Sequence, residues 1–301
     1  MIIEKQSQMG KDQLVRLRAE GKAARYDCDP LAEVFSVTDG VYSILSKSPG
    51  MGGDAWMHLV IGTERAVLID TGFGIGDLKA LAETLTDKPI DVFNTHFHGD
   101  HTLGNVQFPR VYIHRYDEAP LQAMMTPDGG NGFVPKSGSY FTEADVMPFH
   151  PYEIVPVEAG FTFDLGDGET LEVVHVPGHS AGCAGLLDNK KRILFSGDSI
   201  CSTPTFIFGQ LPEGEYSEYM TIRAYKAGLE KLSERLDEFD SLYPGHALLG
   251  TPKEIVGDTI KVCDAIIENP DNYDDVLHFG ERSGFVRKIG WGSIAFSKER
   301  V

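Results

Sequence analysis

A layered α/β fold follows from two observations on the sequence. Short apolar runs recur along the chain, rich in Val, Ile and Leu: Ala66–Ile69, Ile90–Phe93, Leu171–Val176, Arg192–Phe195 and Leu242–Tyr243. Most are closed by a nearby Gly or Pro, the pattern of buried strands. Helical stretches separate them, with Asp77–Leu85 and Tyr225–Leu236 the clearest. Each run also leads into metal-ligating or acidic residues, and in layered α/β proteins sites collect just beyond strand ends.

Residues 1–30 read as an extension ahead of a core domain spanning 31–301. Within it, Lys11–Arg25 is helix-like, with Leu14, Val15 and Leu17 on a weak apolar face. Such a helix packs on its own domain or on a partner subunit, which allows a homodimer. Phe35–Val37 and Val41–Leu45 form a strand pair turned at Asp39-Gly40, a hairpin signal. The loop 48–53 precedes a strand at Trp56–Ile61, and Asp77–Leu85 forms an outer helix. Val111–Ile113 is a further strand, followed by helical residues 115–126. Residues 126–149 depart from regular periodicity, with Phe133, Tyr140, Phe141 and Phe149 set among prolines and glycines. Loops this long are often functional, and this one reads as an insertion forming a lid or pocket wall. Asp164–Gly168 turns a hairpin. Residues 203–219 form a second insertion, carrying Phe206, Phe208, Tyr216 and Tyr219. After Asn269 the chain turns acidic, then forms a small hairpin over Gly284–Phe296 around Trp291.

The densest chemistry lies in His96-Phe97-His98-Gly99-Asp100-His101, three imidazoles and one carboxylate in six residues. Mixed N/O donors suit zinc first, with iron or manganese behind it. One tetrahedral ion cannot easily take all four side chains from so tight a turn. His96 and His98 alternate and can face one ion, while Asp100 and His101 can face a second. Paired ions in hydrolases lie roughly 3.5–4 Å apart and share an activated water. His179, Asp198 and His246 each follow another apolar run, and Asp70 follows Ala66–Ile69.

Taken in order over roughly residues 34–250, Asp70, His96/His98/Asp100/His101, His179, Asp198 and His246 resemble the metallo-β-lactamase superfamily. The resemblance implies a four-layer αββα sandwich with its site at one end of the two sheets. It implies that His96, His98 and His179 hold one ion and that Asp100, His101 and His246 hold the other. Asp198 would bridge both, and Asp70 would orient the ligand loop, as carboxylates do for metal-binding imidazoles. Asp198 in the bridging place is similar to thioesterases, lactonases and phosphodiesterases of the family, whereas true β-lactamases usually carry another residue there. Pro177–Gly182 and Gly197-Asp198-Ser199 are similar to glyoxalase II, but that enzyme's C-terminal glutathione-binding region has no counterpart here. Flavodiiron relatives usually carry Glu where this chain has His98.

The expected function is a dinuclear metal-dependent hydrolase acting on a small ester, lactone or thioester. Two cations sharing a water lower its pKa, and Asp100 and Asp198 accept its proton and hold the nucleophile. Two other readings share the fold: a mononuclear iron persulfide dioxygenase, with two histidines and one carboxylate on one iron, and a phosphodiesterase. Phe206 and Phe208 are the candidate substrate-pocket residues, because selection has to come from the walls around a reactive water.

Composition narrows the partners. The chain of 301 residues suits one large domain. Its apolar runs fall short of the ~18–20 residues of a membrane helix, and Met1–Gln13 lacks an apolar signal-peptide core. Four widely spaced cysteines (Cys28, Cys183, Cys201, Cys263) read as free thiols, which points to the cytoplasm. A net charge of −18 repels phosphate backbones, so a small-molecule substrate is expected rather than nucleic acid or a membrane. His58, His114, His150, His175 and His278 lie outside the motif and read as structural.

Overall fold

The computed structural model describes residues 2–49, 53–127, 139–280 and 282–301. The centre of the 48–53 loop and residues 128–138 of the first insertion, Phe133 included, lie outside the described residues. The chain divides into two compact units, residues 12–171 and residues 1–11 together with 172–301. Residues 1–30 are thus shared between both units.

Helix α1 spans Ile2–Ala19, earlier than the expected Lys11–Arg25. It stops at Gly21, whose φ is +71°. The Lys22 amide reaches back to Leu17 O (3.0 Å) and the Gly21 amide to Arg18 O (3.1 Å). That is a Schellman stop, which needs a left-handed residue best supplied by glycine. The freed residues form β1 (Ala23–Tyr26), which pairs antiparallel with β2 (Asp29–Thr38).

The unit of residues 12–171 is built on an eight-stranded sheet in sequence order, β1 to β8. After β2 come β3 (Val41–Ser46), β4 (Ala55–Ile61) and β5 (Ala66–Ile69), an antiparallel meander. Thr38 pairs with Val41 across Asp39-Gly40, as the hairpin signal predicts. Strands β6 (Ile90–Asn94), β7 (Arg110–His114) and β8 (Glu153–Val157) then add in parallel. Parallel strands need crossovers. These include α2 (Leu78–Leu85), the single turn α3 (Gly99–Thr102) and α4 (Glu118–Met124). Leu78, Leu81 and Ala82 of α2 pack in one core cluster with Leu59, Leu68 and Val92. The described end of the first insertion is tied down. Val146 bridges Ile75, and the Tyr140 hydroxyl donates to Lys47 O. Strand β9 (Thr162–Gly166) closes this unit.

The unit boundary falls within β10 (Glu169–His175), which neighbours β9. Beyond it, β11 (Ala184–Asp188) pairs antiparallel with β12 (Ile193–Gly197). A short strand β13 (Thr205–Ile207) precedes α5 (Ile222–Ser233). Next come β14 (Ser241–Pro244), β15 (Thr251–Pro252) and α6 (Glu254–Glu268). The chain ends in β16 (Asp275–Phe279), β17 (Arg282–Ile289) and β18 (Gly292–Phe296). Two sheets result, one ordered β15-β14-β12-β11-β10-β9 and one ordered β13-β18-β17-β16. Helices α5 and α6 bury Tyr225, Leu229, Val256 and Ile266 in a core shared with Leu194, Leu242 and Phe296. Each such side chain contributes roughly 1.5–3 kcal/mol.

Part of the stretch 203–219 is regular structure. β13 pairs in parallel with β18 and forms an edge of the C-terminal sheet. Phe208 is buried with Val286 and Ala295 in a satellite cluster, with Phe206 partly buried beside it. The Gly284–Phe296 hairpin is present, widened into that four-stranded sheet. Among the described residues, no helix is long and apolar enough to cross a membrane.

Candidate metal centre

Within residues 12–171 the candidate ligands hang from the ends of adjacent parallel strands. Strand β5 runs into Asp70, and β6 runs through Asn94 and Thr95 into His96. Asp70 takes φ +61°, a left-handed backbone uncommon outside glycine. From there its carboxylate gathers three donors. Oδ1 accepts from the Thr95 amide at 2.7 Å; Oδ2 accepts from the Thr95 hydroxyl at 2.8 Å and from His101 Nδ1 at 2.9 Å. The Thr95 hydroxyl has given its only proton to Asp70. It therefore accepts from His96 Nδ1, 3.1 Å away. Both imidazoles are fixed as Nδ1–H tautomers, which makes Nε2 the acceptor nitrogen of each ring. Both rings are fully buried.

A polar frame locks this arrangement. Asn94 and Asn105 exchange hydrogen bonds of 2.8 and 3.1 Å, and the Thr71 hydroxyl donates to Asn105 Oδ1 at 2.8 Å. The Thr71 amide and the Asn94 side chain both reach His101 O. A Cβ on Gly104 would lie 2.3 Å from Thr71 O, so only glycine permits this approach. His96 Nε2 lies 3.0 Å from His98 Nδ1, and His101 Nε2 lies 3.6 Å from Asp100 Oδ2. Asp100 is the exposed member, its side chain one-third open.

The second cluster belongs to residues 172–301. Parallel pairing sets Gly197 of β12 against Pro244 of β14, so Asp198 and His246 leave from neighbouring strand ends. Asp198 Oδ2 lies 3.7 Å from His179 Nε2 and 3.5 Å from His246 Nε2. His179 Nδ1 donates to the Phe206 carbonyl at 2.7 Å, which again makes Nε2 the acceptor nitrogen. His175 Nε2 donates to Ala181 O at 2.8 Å and so braces the ligand loop; burial pushes its pKa down. Cys201 is buried, with Sγ 3.3 Å from Gly197 O and 3.8 Å from Asp198 Oδ1. Burial, reinforced by the Asp198 charge, pushes its thiol well above the ordinary range.

His96, His98, Asp100, His101, His179, Asp198 and His246 all belong to groups of histidine and aspartate that could hold a metal ion. The donor spacing fits that role. Ligands on one tetrahedral ion at bonds of about 2.0–2.2 Å stand roughly 3.3–3.6 Å apart. The contacts of Asp100 with His101, and of Asp198 with His179 and His246, lie at or near that edge, beyond ordinary hydrogen-bond length. Outside the clusters, His58 bonds Ser43 (3.0 Å), His114 caps Tyr116 and His278 bonds Ser283. His150 is exposed. Sequence reasoning did not single out Asn94, Thr95, Asn105 or the Phe206 carbonyl. The first two are polar residues at the end of a buried strand, a position that demands partners.

A family model described as the metallo-β-lactamase superfamily matches residues 50–252. Acyl-coenzyme A thioesterase MBLAC2 of Bos taurus is 30% identical over 233 residues, covering 70% of this chain and 79% of that protein. Atrochrysone carboxyl ACP thioesterase dmxR1 of Cryptosporiopsis sp. is 29% identical over 178 residues, 57% of this chain and 47% of that protein. The solved structure of a beta-lactamase domain protein from Burkholderia ambifaria aligns with a TM-score of 0.57. At 19% identity it covers 78% of this chain and 76% of its own. The chain belongs to the metallo-β-lactamase superfamily and has its α/β fold of mixed sheets with flanking helices. It is a hydrolase of that superfamily.

Proposed function

We propose that the protein is a metal-dependent thioesterase for small acyl thioesters of the coenzyme A or acyl-carrier type, with two divalent ions, zinc foremost, as cofactors. One observation carries the reading. His96, His101 and His179 each have the remote ring nitrogen held by a fixed acceptor, so each presents a preset Nε2 donor. In this reading His96, His98 and His179 hold one ion. Asp100, His101 and His246 hold the other, and Asp198 serves both. When bound, such ions supply a water that ionises near neutral pH and positive charge for the developing oxyanion.

The protein's own groups do the rest. Asp100, the open carboxylate, takes the proton of the attacking water, and Asp198 holds that water in line. Water adds to the acyl carbon, the C–S bond breaks, and an acid and a thiol are released. A thiol with a pKa near 8.5 leaves as thiolate with little help from a proton donor. That suits a site whose side chains are mainly proton acceptors. Both curated relatives named above are thioesterases, which supports this substrate class over lactones or phosphodiesters. The partly buried Phe206 ring is the proposed acyl wall. Phe208 is withdrawn from that role by its burial. Cys28, Cys183, Cys201 and Cys263, none of them in a disulfide, support a reducing compartment such as the cytoplasm.

The test is a panel of acyl-coenzyme A thioesters, lactones, aryl esters, phosphodiesters and β-lactams, with metal content measured on the same sample. Thiol release that stops with a chelator and returns with zinc is expected. Inert thioesters beside a cleaved phosphodiester, or oxygen uptake with glutathione persulfide at one iron per chain, would overturn the reading.

A further inference from the structure

Arg300 is buried, at 5% exposure. Its guanidinium has carbonyl partners only: Nε donates to Met220 O (2.7 Å), Nη1 to Phe208 O (3.2 Å) and Nη2 to Gly178 O (3.0 Å). Among the described residues it makes no ion pair. A buried cation facing only partial charges is costly, and desolvation lowers its pKa to about 10. An apolar side chain would fill the same space more cheaply, so its placement calls for a geometric reason.

That reason lies in what the three carbonyls carry. Gly178 immediately precedes His179 and sits at φ +142°, where only glycine is at ease. A Cβ there would meet the Tyr225 side chain at 2.7 Å. Phe208 follows β13, whose Phe206 carbonyl holds His179 Nδ1. Met220 precedes α5, which contains Tyr225. The Tyr225 hydroxyl in turn reaches Ser199 O at 2.6 Å, next to Asp198. One planar fork thus joins the peptide before the ligand, the strand that aims the ligand ring, and the start of the helix packed against both.

We propose that Arg300 is a positioning residue for His179: it clamps the Gly178 peptide to β13, so that the Phe206 carbonyl sets the tautomer and direction of the ring. The proposal rests on reading His179 as a metal ligand. Residues 203–219 then act on the site through two backbone carbonyls, as well as through any side chain.

Arg300→Met and Arg300→Lys test it, with two readouts. The first is zinc affinity by chelator competition. Arg300→Met is expected to weaken the ion bound by His179 by about 10- to 100-fold, as losses around a ligand typically do. Arg300→Lys, which restores one charged donor, recovers part of that loss. The second readout is the nitrogen NMR spectrum of His179 in metal-free protein. The parental ring should be the Nδ1–H tautomer and the Arg300→Met ring a mixture. Variants that lose thermal stability yet keep the parental tautomer and metal affinity per folded molecule would overturn the proposal. If the parental protein takes up no metal while the tautomer still responds to the variants, the clamp stands and the metallohydrolase reading falls. Should Arg300→Met not fold, Arg300→Lys decides by the same two readouts.

Discussion

At Asp70, one carboxylate in a left-handed backbone satisfies the Thr95 amide, the Thr95 hydroxyl and the His101 ring. Asparagine offers one acceptor oxygen where two are in use. Asp70→Asn should therefore leave buried donors unmet, at about 1–3 kcal/mol of stability in urea unfolding. It should also lower zinc affinity about 10- to 100-fold in a competition titration. Asp198→Ala should remove both metal retention and turnover, because one carboxylate oxygen faces two imidazoles. Full metal content at a parental rate would refute that role. The candidate ligands were legible in sequence because side-chain chemistry announces itself through residue type. Thr95 and Asn105 were not, since a neutral polar residue shows its task only once its partners are placed. The Phe206 carbonyl was beyond reach, as every residue carries one.

Helix ends and strand edges show a different balance. Asp77 caps α2 by accepting from the Ala80 amide at 2.9 Å. Asp77→Ala should cost about 1 kcal/mol in unfolding and leave kinetics unchanged. Phe208→Ala should cost about 3–5 kcal/mol, the range for an emptied aromatic site, with metal content intact per folded molecule. Phe206→Ala should act instead on KM for acyl substrates. The hairpin at Asp39-Gly40 and the helix from Asp77 were readable because local chemistry decides them. α1 was placed late because its stop depends on the φ of Gly21, and Lys11–Arg25 offers basic residues on either side of it. β13 was missed because three residues carry no period. Its strand character comes from pairing with β18.

For the molecule as a whole, acid stability separates two buried carboxylates whose pKa values move in opposite directions. Hydrogen bonds from Arg18, at 2.6 and 2.8 Å, hold the Glu33 carboxyl below its ordinary 4.5. The unfolded chain then binds the proton first, so this stabilisation is full above pH 4.5 and fades as pH falls through the folded value. Burial instead raises the Asp29 carboxyl above 3.8, against the pull of the Ala32 and Leu31 amides, so its contribution grows as pH falls through the raised value. Urea unfolding across the acid range should show a shallower loss in Glu33→Gln than in the parent. Metal should add to stability by mass action, about 2.7 kcal/mol at a free concentration 100-fold above Kd, read as a drop in Tm after chelation. The α/β class was legible because Val, Ile and Leu runs record burial directly. The division into units was not, because it depends on which distant segments meet.

One of those meetings sets a timetable for biosynthesis. The unit of residues 12–171 is continuous, so a nascent chain can complete it while translation proceeds. The other unit is closed by its earliest and latest residues: the Ile2 amide bonds Asp275, Gln6 bonds Ser293, and β13 waits for β18. The ribosome thus releases the His96 cluster long before the carbonyl that aims His179 has its supporting strand. By this topology the unit carrying His179, Asp198 and His246 is completed only once its last strand, β18, has been made, so chains folded over residues 12–171 precede any with a finished second cluster.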